Sequence, residues 1–151
     1  MELIHELLGY EHIKIIQNQD MFCFSLDSVL LANFVSVNNK TKSIIDLGCG
    51  NAPIPLFLTL KTKAKIIGIE VQEEVAKLAT RSVDLNNLQN QITIINDDLK
   101  GIYKKGFANT FDIVTSNPPY FKYNLEGNIN KNEYLTIARH EVKAKLSDVI
   151  S

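Results

Sequence analysis

The stretch Ile44–Pro53 constrains the fold more than any other part of the chain. An apolar, β-branched run leads to Asp46, breaks at Gly48 and Gly50, and resumes as an apolar segment in which Pro55 suits the first turn of a helix. This order predicts a strand, a tight turn and a helix. Glycines also let a ligand lie against the main chain at the carboxyl end of a strand. The turn alone fits either a structural bend or half of a nucleotide-binding site.

Further strand and helix patterns follow this turn in alternation. The predicted strands are Lys65–Glu70, Gln91–Ile95 and Phe111–Ser116, and Gln72–Asn87 has the spacing of an amphipathic helix. Strands that are apolar on both faces and alternate with helices indicate a parallel sheet covered by helices on both faces. We therefore predict an α/β, Rossmann-like domain over residues 43–151.

Residues 1–42 are predicted to pack on this domain as a hairpin and a helix. Apolar runs at His12–Ile16 and Met21–Phe24 flank a polar segment, which is the pattern of a hairpin. Ser25 or Asp27 then caps a helix that ends in Phe34-Val35.

Bulk composition excludes several classes of protein. A length of 151 residues suits one domain, and a formal charge of −1 gives no overall basic field. The two cysteines do not form a C-x-x-C pair, which argues against a zinc site or a disulfide framework. No apolar run approaches the roughly 20 residues that span a bilayer. We therefore expect a cytoplasmic protein with no metal and no membrane segment.

The predicted C-terminal part leaves one edge of the sheet without a covering element. Four parallel strands leave the fourth at an open edge with poorly covered apolar residues. We therefore predict that the chain is a fragment that lacks its C-terminal strands, or that something else covers that edge. The apolar residues of Glu133–Ile150 fit one helix, or two helices with a second cap at Ser147-Asp148; we favour the second arrangement.

Acidic residues close the second and third strands. Glu70 follows Asp46 by 24 residues and is placed to accept hydrogen bonds from both hydroxyls of a ribose, although a solvated strand end is the alternative. Asp97 and Asp98 close the third strand. Either could accept a hydrogen bond from an adenine amino group, or could cap the segment that begins at Leu99.

The sequence Asn117-Pro118-Pro119-Tyr120 is the most specific signal. Two prolines hold the loop rigid and extended, so that the Asn117 side-chain oxygen and a proline carbonyl become fixed acceptors. Tyr120 offers an aromatic face for stacking. Such a corner can hold a planar amino group and direct its lone pair at an electrophile. The alternative is a rigid turn with a buried tyrosine.

Together these motifs resemble the S-adenosylmethionine-dependent methyltransferases that modify amino groups. The upstream segment Phe22–Leu31, Phe121, and Ala138–Glu141 further resemble bacterial tRNA adenine-N6 methyltransferases that act beside the anticodon. The departures are Ala52 in place of a third glycine, and the absence of the family's later strands.

The resemblance implies roles for individual residues. The cofactor-binding set is Asp46, Gly48, Gly50, Glu70, Asp98, Asp27 and Asn117. The substrate-binding set is Asn117, Pro118, Pro119, Tyr120, Phe121 and Arg139, of which Asn117, Pro118 and Tyr120 are catalytic. The implied cofactor is S-adenosyl-L-methionine, the implied partner is tRNA, and the implied reaction is methylation of the N6 amine of an adenine. The alternatives are a protein glutamine-N5 methyltransferase acting on a release factor, and a non-catalytic module that binds the cofactor or RNA.

Overall fold

The computed structural model describes residues 1–7, 9–21, 23–118 and 149, except for the side chain of Tyr103. Its strands are β1 (Glu2–Leu7), β2 (Tyr10–Asn18), β3 (Ser43–Leu47), β4 (Lys65–Glu70), β5 (Ile92–Asn96) and β6 (Ile113–Ser116). Its α-helices are α1 (Leu26–Phe34), α2 (Pro53–Leu58) and α3 (Glu73–Leu85), and a 3₁₀ turn covers Ile102–Lys105.

The central sheet confirms the predicted parallel α/β arrangement. Its four strands lie in the order β5-β4-β3-β6, and every pairing is parallel. The first strand after the N-terminal region, β3, therefore lies between β4 and β6. Within the described ranges β6 pairs only with β3, and Val114 is 59% exposed, so the expected edge position of the fourth strand is confirmed.

The two faces of the sheet carry separate apolar clusters. Ile44, Ile66 and Ile92 face the larger cluster, to which β1, β2 and all three α-helices contribute. Ile45 and Ile69 face a smaller cluster, which also contains residues of the 3₁₀ region and the helical residue Val149. Helical segments thus lie on both faces, as the apolar strand pattern predicts. The choice between one and two C-terminal helices concerns residues outside the described part.

The predicted hairpin is wrong in its position. The observed hairpin joins β1 to β2, with Gly9 at a positive φ of 79° beside the turn, and β2 runs on through the polar residues Gln17 and Asn18. Met21, Cys23 and Phe24 are not in a strand. Polarity misled the prediction because Gln17 is buried, and its side-chain Oε1 accepts a hydrogen bond from the Phe24 N–H.

The helices begin close to the predicted residues. Ser25 occupies the N-cap position of α1, but its hydroxyl contacts the Asp27 carboxylate and makes no capping hydrogen bond to the main chain. Pro53 and Pro55 lie in the first turn of α2. Among the residues described, no helix is long and apolar enough to cross a membrane.

Gly68 allows the glycine turn to pack closely on β4. A Cβ atom added at Gly68 would lie 2.7 Å from the Sγ of Cys49 and 3.0 Å from a methyl group of Ile94. Glycine in a strand commonly marks such a close approach. Gly68 therefore fixes how far the turn sits above the sheet.

We expect Gly68→Ala to lower the free energy of unfolding by about 1–3 kcal/mol, the usual cost of overpacking. Urea denaturation measures this change. Combining Gly68→Ala with Cys49→Ala removes the clashing sulfur, so the double variant should lose less than the sum of the two single variants. Strict additivity would show that the contact with Cys49 is not the cause.

Candidate functional site

The carboxyl ends of the four parallel strands bring most of the predicted site residues to one edge. Leu47 pairs with Ile69 on one side and with Ser116 on the other, so the glycine turn, Glu70 and Asn117 follow neighbouring strand ends. The N–H of Asp97 donates to the Glu70 carbonyl at 3.1 Å, which places the acidic pair after β5 next to Glu70. Open α/β sheets bind their ligands at this edge.

The glycine turn has an unusual main-chain conformation. Gly48, Gly50 and Ala52 all have positive φ, of 72°, 57° and 68°. Added Cβ atoms at Gly48 and Gly50 would meet no atom within 4 Å. The turn therefore presents an open face at both glycines. Ala52 occupies the position of the third glycine of the fingerprint, and its backbone adopts a conformation that is typical of glycine. For a non-glycine residue this conformation is strained.

Four N–H groups of this turn, those of Gly48, Cys49, Gly50 and Ala52, already donate hydrogen bonds within the protein. Those of Gly48 and Cys49 both donate to the Ile69 carbonyl at 2.9 Å, and that of Gly50 donates to Glu70 Oε2 at 3.0 Å. The helix that follows begins at Pro53, which has no N–H. A phosphate group needs free amides at such a position. Because most amides of the turn are used, and Pro53 and Pro55 have none, the turn is better suited to a ligand part without phosphate.

Glu70 is buried under the turn and bridges two loops. Its Oε2 accepts from Gly50 N, and its Oε1 accepts from Gln72 N at 2.8 Å. Burial raises the pKa of Glu70, and the hydrogen bonds from these two N–H groups oppose that rise. Each carboxylate oxygen has a further lone pair. Glu70 can therefore hold the turn and still accept hydrogen bonds from ligand hydroxyls.

Asp46 lies fully buried beneath the turn. Its Oδ1 accepts a hydrogen bond of 2.6 Å from Thr115, its partner across the β3–β6 pairing. Its Oδ2 has no hydrogen-bond partner among the described residues. Burial raises the pKa of Asp46 to about 7; the Thr115 hydroxyl opposes the rise, and the charge of Glu70 adds to it. An unpaired buried oxygen is a feature that a polar ligand group or a water molecule can satisfy.

This buried carboxyl group predicts a pH-dependent stability. Its pKa is raised from 3.8 to about 7 in the folded chain. Relative to high pH, this shift stabilises the folded chain by at most about 4 kcal/mol. The stabilisation is present in full below pH 3.8 and is lost as the pH rises through about 7. The asparagine of Asp46→Asn does not titrate. We therefore expect the free energy of unfolding of the wild type to fall between pH 4 and 8 relative to that of the variant. Urea denaturation across this range checks it; parallel pH profiles would contradict the shift.

The acidic pair after β5 shows the capping arrangement. Asp98 Oδ1 accepts from Lys100 N at 2.9 Å, and Asp97 forms an ion pair with Lys105. The Lys105 hydrogen bond is the largest of the influences that lower the pKa of Asp97. Capping and an adenine contact are compatible, because a carboxylate has lone pairs to spare. A contact between either residue and an adenine stays a prediction.

The remaining predicted residues have different positions. Asn117 and Pro118 follow β6 directly and are half-buried. Asp27 lies exposed in the first turn of α1, where its Oδ2 accepts from the Ser25 hydroxyl at 3.3 Å. Four predicted residues lie outside the described part of the chain: Pro119, Tyr120, Phe121 and Arg139.

Sequence reasoning missed three buried polar residues that hold the central sheet, the glycine turn and the hairpin together. Thr115 binds Asp46, Asn51 donates from its side chain to the Ile16 carbonyl, and Gln17 accepts from Phe24 N. All three are buried. Thr115 could have been found from strand pairing, since it falls opposite Asp46 once β3 and β6 are aligned. The other two depend on where the hairpin packs. The described residues contain no group of three or more metal-ligating side chains.

Comparisons with known proteins identify a family for this chain. A family model described as the methyltransferase small domain matches residues 12–143. A tRNA1(Val) (adenine(37)-N6)-methyltransferase of Haemophilus influenzae strain PittEE is 29% identical over 140 residues, which is 91% of this chain and 58% of the relative. One from Photorhabdus laumondii is 34% identical over 98 residues, 64% of this chain and 39% of the relative.

A second kind of relative is also similar. A putative protein N5-glutamine methyltransferase of Methanocaldococcus jannaschii is 29% identical over 133 residues, 87% of this chain and 62% of the relative. The chain thus spans about 60% or less of the length of these curated relatives.

Solved structures show the same fold. A SAM-dependent methyltransferase from Agrobacterium tumefaciens superposes with a TM-score of 0.59 at 17% identity, covering 80% of this chain and 40% of that one. TrmK of M. capricolum, solved with S-adenosyl-homocysteine, gives a TM-score of 0.50 at 23% identity, covering 62% of this chain and 40% of that one. Identities this low show the fold, which is the Rossmann-like methyltransferase fold.

Proposed function

Since this chain belongs to the methyltransferase small domain family, we propose that it carries the S-adenosylmethionine site of an enzyme that methylates the N6 amine of an adenine in tRNA. The observation that carries the proposal is the convergence of the glycine turn, Glu70, the acidic pair after β5 and Asn117 at one sheet edge. The names of the two tRNA-modifying relatives given above supply the substrate class.

The residues at this edge fit S-adenosylmethionine, which supplies an electrophilic methyl group when bound. It contains a ribose, an adenine and an amino acid but no phosphate, and the turn offers an open face at Gly48 and Gly50, whose amides are already hydrogen-bonded. Glu70 accepts the ribose hydroxyls, and Asp98 or Asp97 accepts the adenine amino group. The unpaired Oδ2 of Asp46 supports a polar contact beneath the turn.

The corner after β6 holds the acceptor amine. The side-chain oxygen of Asn117 and the carbonyl of Pro118 each accept a hydrogen bond from the adenine N6 group, which localises its lone pair. In this proposal Tyr120 stacks on the base after it leaves the RNA stack, Pro119 and Phe121 contribute to substrate binding, and Arg139 contacts the tRNA. Fixed acceptors of this kind act without reorganising during the reaction, and alignment of the reacting groups supplies much of the rest.

Protein glutamine is the second candidate substrate. Its side-chain amide presents the same planar NH₂ to the corner, and the Methanocaldococcus jannaschii relative has 29% identity over most of this chain. The tRNA assignment is favoured by the Phe24–Asp27 segment and by Arg139-His140-Glu141, on the resemblance given above.

Labelled methyl transfer separates the two substrates. The natural full-length protein is incubated with S-adenosylmethionine carrying a labelled methyl group, and either with tRNA from cells lacking the gene or with a release factor. We expect label in tRNA only, recovered as N6-methyladenosine after nuclease digestion. Label in glutamine alone would select the second candidate, and label in neither substrate would contradict both assignments.

A further inference from the structure

Among the described residues, one edge of β2 is hydrogen-bonded by side chains and not by another strand. The N–H and carbonyl of Lys14 bond to the Asn86 side chain at 2.8 and 2.6 Å. The N–H of Ile16 donates to Ser82 Oγ at 2.9 Å, and its carbonyl accepts from Asn51 Nδ2 at 3.2 Å. Asn86 and Ser82 belong to the end region of α3, whereas Asn51 belongs to the glycine turn.

Asn51 therefore joins the cofactor turn to the hairpin. It is 5% exposed and lies between Gly50 and Ala52, the two residues with left-handed backbone on either side of it. Glu70 and Ile69 of β4 hold the same turn through its N–H groups. Asn51 thus supplies a second anchor of a strained loop, to β2 and not to β4.

The link continues into the segment before α1. Gln17, next to Ile16 in β2, accepts from Phe24 N at 3.1 Å, and Ser25 follows as the N-cap residue of α1. Gln17 is 8% exposed, so the acceptor end of this bond is buried. Two hydrogen bonds, from Asn51 and to Gln17, therefore connect the glycine turn to the start of α1 through two adjacent residues of β2.

We propose that Asn51 is a positioning residue that sets the conformation of the glycine turn for cofactor binding by anchoring it to β2, and that Gln17 extends this anchor to the start of α1. The inference rests on the proposed function. Removing the Asn51 side chain deletes an interior hydrogen bond and also leaves the buried Ile16 carbonyl without its partner. A loop with three left-handed residues in alternation has other conformations to adopt once one anchor is lost.

The test compares two variants that each remove side-chain hydrogen bonds to the same edge of β2. Asn51→Ala removes the anchor at the turn, and Asn86→Ala removes the bonds to Lys14 at the far end of β2. Both variants loosen the hairpin, but only the first releases the turn. Calorimetry with S-adenosyl-homocysteine on the natural full-length protein gives the dissociation constant, thermal unfolding gives stability, and steady-state kinetics separate KM for S-adenosylmethionine from kcat.

We expect Asn51→Ala to weaken S-adenosyl-homocysteine binding about 10-fold, the equivalent of one such hydrogen bond. KM for S-adenosylmethionine should rise similarly with little change in kcat. Asn86→Ala should lower the melting temperature with less than a threefold change in affinity, and Gln17→Ala should fall between the two. The same loss of affinity in Asn51→Ala and Asn86→Ala would overturn the inference, as would unchanged affinity in Asn51→Ala. A wild-type protein that binds no S-adenosyl-homocysteine would instead contradict the proposed function, and this inference with it.

Discussion

Asn117→Ala is expected to lower the turnover number for methyl transfer about 100-fold, the scale of losing one preorganised polar contact to the reacting group. An adenine amine is a poor nucleophile because its lone pair is delocalised into the ring. In the proposed reaction the Asn117 oxygen acts on that lone pair, and alanine offers no acceptor in its place. Single-turnover kinetics with saturating S-adenosylmethionine measure the chemical step directly.

Ser116→Ala is the matched control for Asn117. Ser116 precedes Asn117 on β6, and its hydroxyl donates to the Leu47 carbonyl at 2.9 Å. Its loss affects strand pairing at the same point of the chain but no acceptor group of the substrate corner. We expect its turnover within about threefold of wild type, less than 1 kcal/mol in barrier height. Full activity in Asn117→Ala, or equal losses in both variants, would remove Asn117 from the reaction.

Glu70→Gln is expected to weaken binding of S-adenosyl-homocysteine about 100-fold. Hydrogen bonds to a charged acceptor are worth about 1.5–3 kcal/mol each. The glutamine amide nitrogen accepts none, so either Gly50 N or Gln72 N loses its acceptor together with one ribose hydroxyl. Removing the charge also removes its burial cost, which is the main cause of the raised pKa of Glu70. Affinity should therefore fall far more than stability.

Glu73→Gln provides the comparison for this variant. Glu73 begins α3 three residues later, and its exposed carboxylate pairs with Lys77 at 2.9 Å. Exposed pairs contribute little, so binding and stability should both stay close to wild type. Isothermal titration of S-adenosyl-homocysteine into the wild type, Glu70→Gln and Glu73→Gln measures the three affinities. Glu70→Gln binding as tightly as Glu73→Gln would mean that Glu70 only holds the turn.

The strand pattern could be predicted from the sequence because burial on both faces leaves a clear signal. The observed bounds of Lys65–Glu70 match the prediction. Because parallel strands end at the same edge of a sheet, the residues that follow the strands could then be placed together at that edge. The hairpin was misplaced because a polar residue usually signals a turn. Gln17 is instead buried, and its partner Phe24 N lies seven residues away.

Side-chain partners across the fold were harder to foresee. Glu70 was predicted to face a ligand, and the structure adds that its carboxylate also holds the turn through Gly50. Asn51 bonds to Ile16, 35 residues away, and no local pattern encodes that contact. Such bonds depend on how the hairpin docks on α3, which follows from packing of the whole domain and not from the period of a single element.

Mass mapping of modified nucleosides in tRNA from cells lacking the complete gene tests the central claim most directly. The account predicts that N6-methyladenosine disappears from one tRNA position and returns with the wild-type gene but not with Asn117→Ala. An unchanged tRNA modification pattern in the deleted cells, together with lost methylation of a protein glutamine, would contradict it.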